Sequence, residues 1–114
     1  MIDKVRLTSI LELDHLEMTR VILSIFERIP ESLEEVRACC LKKNRNQISF
    51  VAHTLKGETA SFGLIGLSKL FAILEEKAEE ISFEEIENYL SEIIIVNNAS
   101  YQEFNKKHSL GKDK

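Results

Sequence analysis

The sequence predicts an all-α domain, an antiparallel up-down bundle with an additional N-terminal helix laid across one end. Apolar residues recur at three- and four-residue spacing almost throughout the chain. Four Gly and one Pro in 114 residues leave little turn chemistry for a sandwich or barrel. The connections between periodic stretches are only a few residues long, so successive helices should reverse direction. This length is that of one domain, able to bury roughly two-thirds of its unfolded surface without metal or disulfide staples. Residues 1–108 are expected to form the bundle and 109–114 a polar tail that frays.

Taken in order, residues 3–12 read as a short helix. Asp14 followed by Glu17 is a capping-box signal for the next, which turns Leu16, Val21, Ile22, Ile25, Phe26 and Ile29 inward. Pro30 suits the first turn of a further helix with the stripe Leu33, Val36, Cys40 and Leu41. Asn46 is the expected N-cap of the helix that buries Ile48, Val51, Leu55, Thr59 and Phe62. Gly63 and Gly66 bracket a short connection. Beyond it, Leu67, Leu70, Phe71, Leu74, Ala78 and Ile81 keep helical spacing. Ser82 with Glu85 forms a second capping box, opening a last helix that buries Phe83, Ile86, Leu90, Ile93, Ile94, Asn97, Tyr101 and Phe104.

Composition excludes several functions. Fifteen Lys plus Arg against nineteen Asp plus Glu give a net charge of −4, the wrong sign for a nucleic-acid binder. No apolar run approaches a membrane span, and Met1-Ile2-Asp3-Lys4 lacks the apolar stretch of a secretory signal. Cys39 and Cys40 are adjacent, a spacing that builds neither a disulfide framework nor a zinc site. They read as small buried hydrophobes of a reduced, cytoplasmic protein. His15 beside Asp14 and His108 near the tail read as solvated side chains, and Lys106, Lys107, Lys112 and Lys114 as a solubilising basic tail.

Chemistry is concentrated in the run from Ala52 to Gly63. His53 sits about 200° around the helix from Leu55, opposite the core stripe. Lys56, Gly57 and Ala60 follow it by three, four and seven residues, on the same outward face. Gly57 is the anomaly, because a glycine in an exposed helix costs about 1 kcal/mol relative to alanine. A small residue one turn from a nucleophile clears the approach of another protein or a transferring group.

Glu75 completes the constellation. It lies eleven residues after Leu64, the centre of the short connection, and His53 lies eleven before. In an antiparallel hairpin that symmetry puts both at one height. A carboxylate accepting from Nδ1–H would fix the tautomer and leave the Nε2 lone pair exposed, the orienting role played behind the histidine of hydrolase triads. A metal or haem role for His53 lacks a second ligand at credible spacing.

From about Val21 to Glu80 the chain resembles the histidine-containing phosphotransfer (HPt) domain family. The resemblance is carried by Phe26 and Pro30, the run Ala52-His53-Thr54-Leu55-Lys56-Gly57, Phe62-Gly63 and Leu74-Glu75. It implies an antiparallel four-helix bundle, here with the additional N-terminal helix. It also implies the activity: His53 accepts a phosphoryl group from a receiver-domain aspartate, or from a partner kinase domain, and passes it to another receiver. On that resemblance Lys56 is the cation beside the phosphoryl group, Gly57 and Ala60 lie under the docked receiver, and Glu75 holds the histidine. Glu75 is similar to the acid at that place in the phosphoacceptor domain of chemotaxis-type kinases, which is one alternative. A receiver-docking bundle that is never phosphorylated is another.

Glu58 departs from the family pattern, where that position is usually small or polar. Five residues from His53 it points about 140° away, so it is expected to spare the chemistry while adding negative charge at a docking rim. The pattern His-[Glu/Asp]-x-x-[Thr/Asn]-Pro of a dimerising kinase helix and any ATP-binding glycine motif are missing. The expectation is therefore a monomeric phosphoryl carrier without kinase activity. Its partners would be response-regulator receiver domains and, as a possible donor, a hybrid histidine kinase, with no nucleic acid and no membrane. No cofactor is expected, magnesium belonging to the receiver.

Overall fold

The computed structural model describes residues 15–108 and places four helices there: α1 (His15–Leu41), α2 (Arg45–Ser61), α3 (Ile65–Lys77) and α4 (Phe83–His108). No strand occurs among the described residues. The expected 3–12 helix, the Asp14 cap and the 109–114 tail lie outside the described residues, as do the side chains of His15 and His108. Helices α2 and α4 each pack on both α1 and α3, enclosing one apolar core. Ile25, Ile29, Leu33 and Val36 enter it from α1, Ile48, Ala52 and Leu55 from α2, Leu67, Phe71 and Leu74 from α3, and Ile86, Leu90 and Ile93 from α4. Their three- and four-residue spacing keeps each set on one helical face.

The two helices expected on either side of Pro30 are one, α1, with the proline inside it. An interior proline removes the hydrogen bond to the carbonyl four residues back, at a cost of about 3 kcal/mol or more. That carbonyl belongs to Phe26, and the buried Asn97 of α4 donates to it from Nδ2 at 3.1 Å. A side chain thus supplies the hydrogen bond that the backbone cannot. Continuing the helix also buries Leu33 and Val36, worth about 1.5–3 kcal/mol each. Together these gains offset the proline.

Other inward assignments shift by a helical step. Leu41 is 87% exposed, whereas Cys39 is buried, because Cys39 continues the spacing of Val36 and Leu41 is the last residue of α1. Leu16 and Val21 are also exposed. They lie near an end of the bundle where an open groove separates α1 from the α2–α3 turn and α4.

Both turns next to α2 use the same backbone device. At the end of α1, Lys43 takes a positive φ of 57°; its N–H bonds to Cys40 O at 3.0 Å and that of Asn44 to Cys39 O at 2.9 Å. Gly63, at φ 78°, repeats the pattern at the end of α2 with N–H bonds from Gly63 to Ala60 O and from Leu64 to Thr59 O. These are Schellman closures, which satisfy the last helical carbonyls. Asn44, not Asn46, caps α2, its side chain accepting from Gln47 N–H at 3.2 Å. Asn46 is already inside the first turn. Gly66 likewise lies within α3 rather than in the connection. The Ser82–Glu85 capping box forms reciprocally, with both hydrogen bonds at 3.0 Å.

Polar tethers fix α2 against α3. Arg45 donates to the carbonyls of Ala78 and Ile81, both at 2.7 Å, and its guanidinium lies over the Phe83 ring. Ser49 Oγ donates to Glu75 O at 3.2 Å and Ser68 Oγ to Lys56 O at 3.3 Å. Partner numbers fall along α3 as they rise along α2, and this register brings Glu75 level with the centre of α2.

Asn97→Ala is expected to cost about 1–3 kcal/mol in urea unfolding, the range for orphaning a buried carbonyl. In a Pro30→Ala background the cost should shrink, because the restored backbone N–H bonds to Phe26 O. Equal costs in both backgrounds would contradict the compensation.

Candidate functional site

Ile48, Ala52, Leu55 and Thr59 turn one side of α2 into the core. His53 consequently faces outward, with 63% of its side chain exposed. Glu75 reaches it from α3. Glu75 Oε2 lies 2.9 Å from His53 Nδ1, and Oε1 lies 2.8 Å from Lys56 Nζ. One carboxylate therefore serves two partners on the neighbouring helix, one through each oxygen. The Ser49 and Ser68 tethers, which sequence reasoning missed, hold both backbones at this height.

The electrostatics follow from that bracket. The Lys56 ammonium holds the Glu75 carboxyl below the usual carboxylate range; partial burial opposes it and the His53 hydrogen bond reinforces it. An ionised carboxylate only accepts hydrogen bonds. In the neutral ring Nδ1 must then carry the hydrogen, which leaves the lone pair on Nε2, on the exposed side. Lys56, expected beside an incoming phosphoryl group, is here engaged by Glu75.

Gly57 and Ala60 are exposed on the outward side of the same helix. A Cβ added to Gly57 would meet nothing within 4 Å, and its φ is not positive. Neither packing nor backbone conformation within the described residues asks for glycine there. Glu58 differs from expectation in one respect: its carboxylate pairs with Arg28 of α1, so its charge at the rim is already offset. Phe50, one turn before His53, is 62% exposed. It lies off the core stripe, and its phase, about 60° from His53, is the signal that marks it in the sequence.

Among the described residues, His53 lines neither of two surface grooves. One open groove, about 660 Å³, is lined by Met18, Ile22, Phe26, Phe62, Leu64 and Phe104 among others, and by none of His53, Lys56 or Glu75. A reactive group on an open surface suits a macromolecular partner that brings its own pocket. Among the described residues no group of three or more His, Cys, Asp or Glu is arranged to hold a metal ion. Among them, too, no helix is long and apolar enough to cross a membrane. Burial pushes the Cys39 and Cys40 thiols upward in pKa, away from reactive thiolate.

A family model described as "Hpt domain" matches residues 20–98, a span that contains His53, Lys56, Gly57 and Glu75. No curated protein and no solved structure matches the chain.

Glu75 binds its proton less tightly in the folded protein than in the unfolded chain, where the value is 4.5. Its contribution to stability is therefore present above that value and is lost as pH falls through the lower folded one. Glu75→Gln should be less stable than the parent in urea unfolding at about pH 6, and the gap should close as pH drops below about 4. A gap that stays constant across the acid range would contradict the bracket.

Proposed function

The chain belongs to the Hpt domain family, whose role is phosphotransfer in two-component signalling, and we propose that it carries the phosphoryl group on His53. The Nε2 lone pair attacks the phosphorus of a receiver's aspartyl-phosphate in line. An N–P bond forms, the P–O bond to the aspartyl group breaks, and its electron pair leaves as the receiver's carboxylate. The ring then bears positive charge, with Nδ1–H still directed at Glu75. The reverse steps on a second receiver discharge His53. A partner kinase domain is an equivalent donor.

Each neighbour has a part in this reading. Glu75 orients the imidazole and offsets the ring charge, being 2.9 Å away. Lys56 offsets charge on the phosphoryl oxygens as a mobile point charge. Gly57 and Ala60 leave clearance for the docked receiver, and the open space above Gly57 supports that role. The receiver contributes the acidic pocket and magnesium, and this chain contributes no resident cofactor and no ATP-dependent kinase activity. The reading is of a cytoplasmic monomer whose bundle is antiparallel throughout, which the falling order of partners between α2 and α3 supports. One observation carries it: an exposed imidazole whose Nδ1 is held by an acid from the next helix.

Incubation with a panel of phosphorylated receiver domains should yield an acid-labile modification that His53→Gln abolishes. Persistent labelling of that variant would overturn the assignment, whereas receiver binding that survives His53→Ala without any exchange would mark a docking-only bundle. Gly57→Ala should leave stability unchanged or raise it by up to about 1 kcal/mol while slowing transfer. Unaltered transfer would remove the clearance role.

A further inference from the structure

We propose that Phe50 is the apolar anchor on which a phosphorylated receiver domain seats itself, a proposal that deepens the phosphotransfer reading and rests on it. Among the described residues Phe50 is the only large apolar side chain of α2 that is exposed, at 62%. Three residues before His53, it stands about 60° around the helix and about 4.5 Å along it. That places it on the flank of His53 turned away from Lys56 and Glu75.

The surroundings of Phe50 are arranged to be covered cheaply. Thr54 Oγ1 donates to Phe50 O at 3.1 Å and Ser61 Oγ to Gly57 O at 2.9 Å. Both hydroxyls are satisfied by their own helix, so an incoming surface strands neither. The two charged residues bordering the stripe are paired as well, Lys56 with Glu75 and Glu58 with Arg28. What remains is a low plateau of Thr54, Gly57, Ala60 and Ser61 with one phenyl ring standing beside the imidazole.

The occupant follows from distance. A stable interface buries about 800 Å² on each partner, a patch far wider than the spacing between Phe50 and His53. Any receiver that delivers its phosphoryl group to Nε2 must therefore cover Phe50 as well. The matching partner surface is an apolar patch beside the phosphoaspartate pocket. An aromatic residue near the centre of an interface, with near-neutral contacts around it, is where binding energy concentrates.

Single-turnover transfer from a phosphorylated receiver, at varied receiver concentration, tests the proposal. Phe50→Ala should raise the half-saturating concentration about tenfold and leave the saturating rate unchanged, while Phe50→Leu recovers part of the loss. Phosphoramidate, which phosphorylates imidazole without docking, should label His53 equally in parent and variants and so report on folding and ring reactivity. A half-saturating concentration unchanged in Phe50→Ala, or a fall in saturating rate alone, would overturn the anchor. So would a parent dimer that Phe50→Ala converts to monomer, since a second copy would then be the occupant. If the parent takes phosphate from phosphoramidate but from no receiver, the phosphotransfer reading itself fails, and the anchor with it.

Discussion

A single carboxylate organises this molecule's chemistry. Glu75 reaches from α3 to α2 and holds His53 through one oxygen and Lys56 through the other. Lys56 keeps the carboxylate ionised, and the ionised carboxylate dictates which ring nitrogen carries hydrogen. In the neutral ring the exposed nitrogen is thereby bare. In the proposed transfer no other part of the site has to move for the ring to act as a nucleophile, and the same carboxylate would face the positive charge that a phosphorylated ring carries.

Such a contact demands a register between helices that is correct to a fraction of a turn, and the fold supplies it from both ends. The Gly63 closure ends α2 and starts α3 within three residues. At the far end of α2, Arg45 ties the chain to the carbonyls of Ala78 and Ile81 just beyond α3 and stacks on Phe83 at the start of α4. Ser49 and Ser68 pin the interval between these ends. Helix α1 forms the opposite wall as one long rod because Asn97 replaces the hydrogen bond missing at Pro30.

How much of this could be read from the chain depends on how far apart the deciding residues lie. Most of the core stripes and the Ser82–Glu85 box follow from neighbours within one or two turns and stand where the local pattern put them, Leu16, Val21 and Leu41 excepted. The proximity of His53 and Glu75 was legible too, because a short turn converts equal spacing into equal height. Pro30 misled because its compensation comes from Asn97, 67 positions onward and on another helix. Asn44 and Asn46 are equivalent cap formers by type, and the closure by Lys43 settles which one caps. The Arg28–Glu58 pair needs the spacing between α1 and α2, which no local pattern contains. Phe50 was overlooked for a different reason: an apolar residue off the core stripe has no intrachain explanation.

The most direct test is the protonation pattern of the His53 ring, read by nitrogen-15 NMR through the long-range couplings of the neutral imidazole. The account predicts hydrogen on Nδ1 and a bare Nε2 in the parent protein, with that preference lost when Glu75 is replaced by alanine. A neutral ring carrying its hydrogen on Nε2 in the parent, or a pattern indifferent to Glu75, would contradict it.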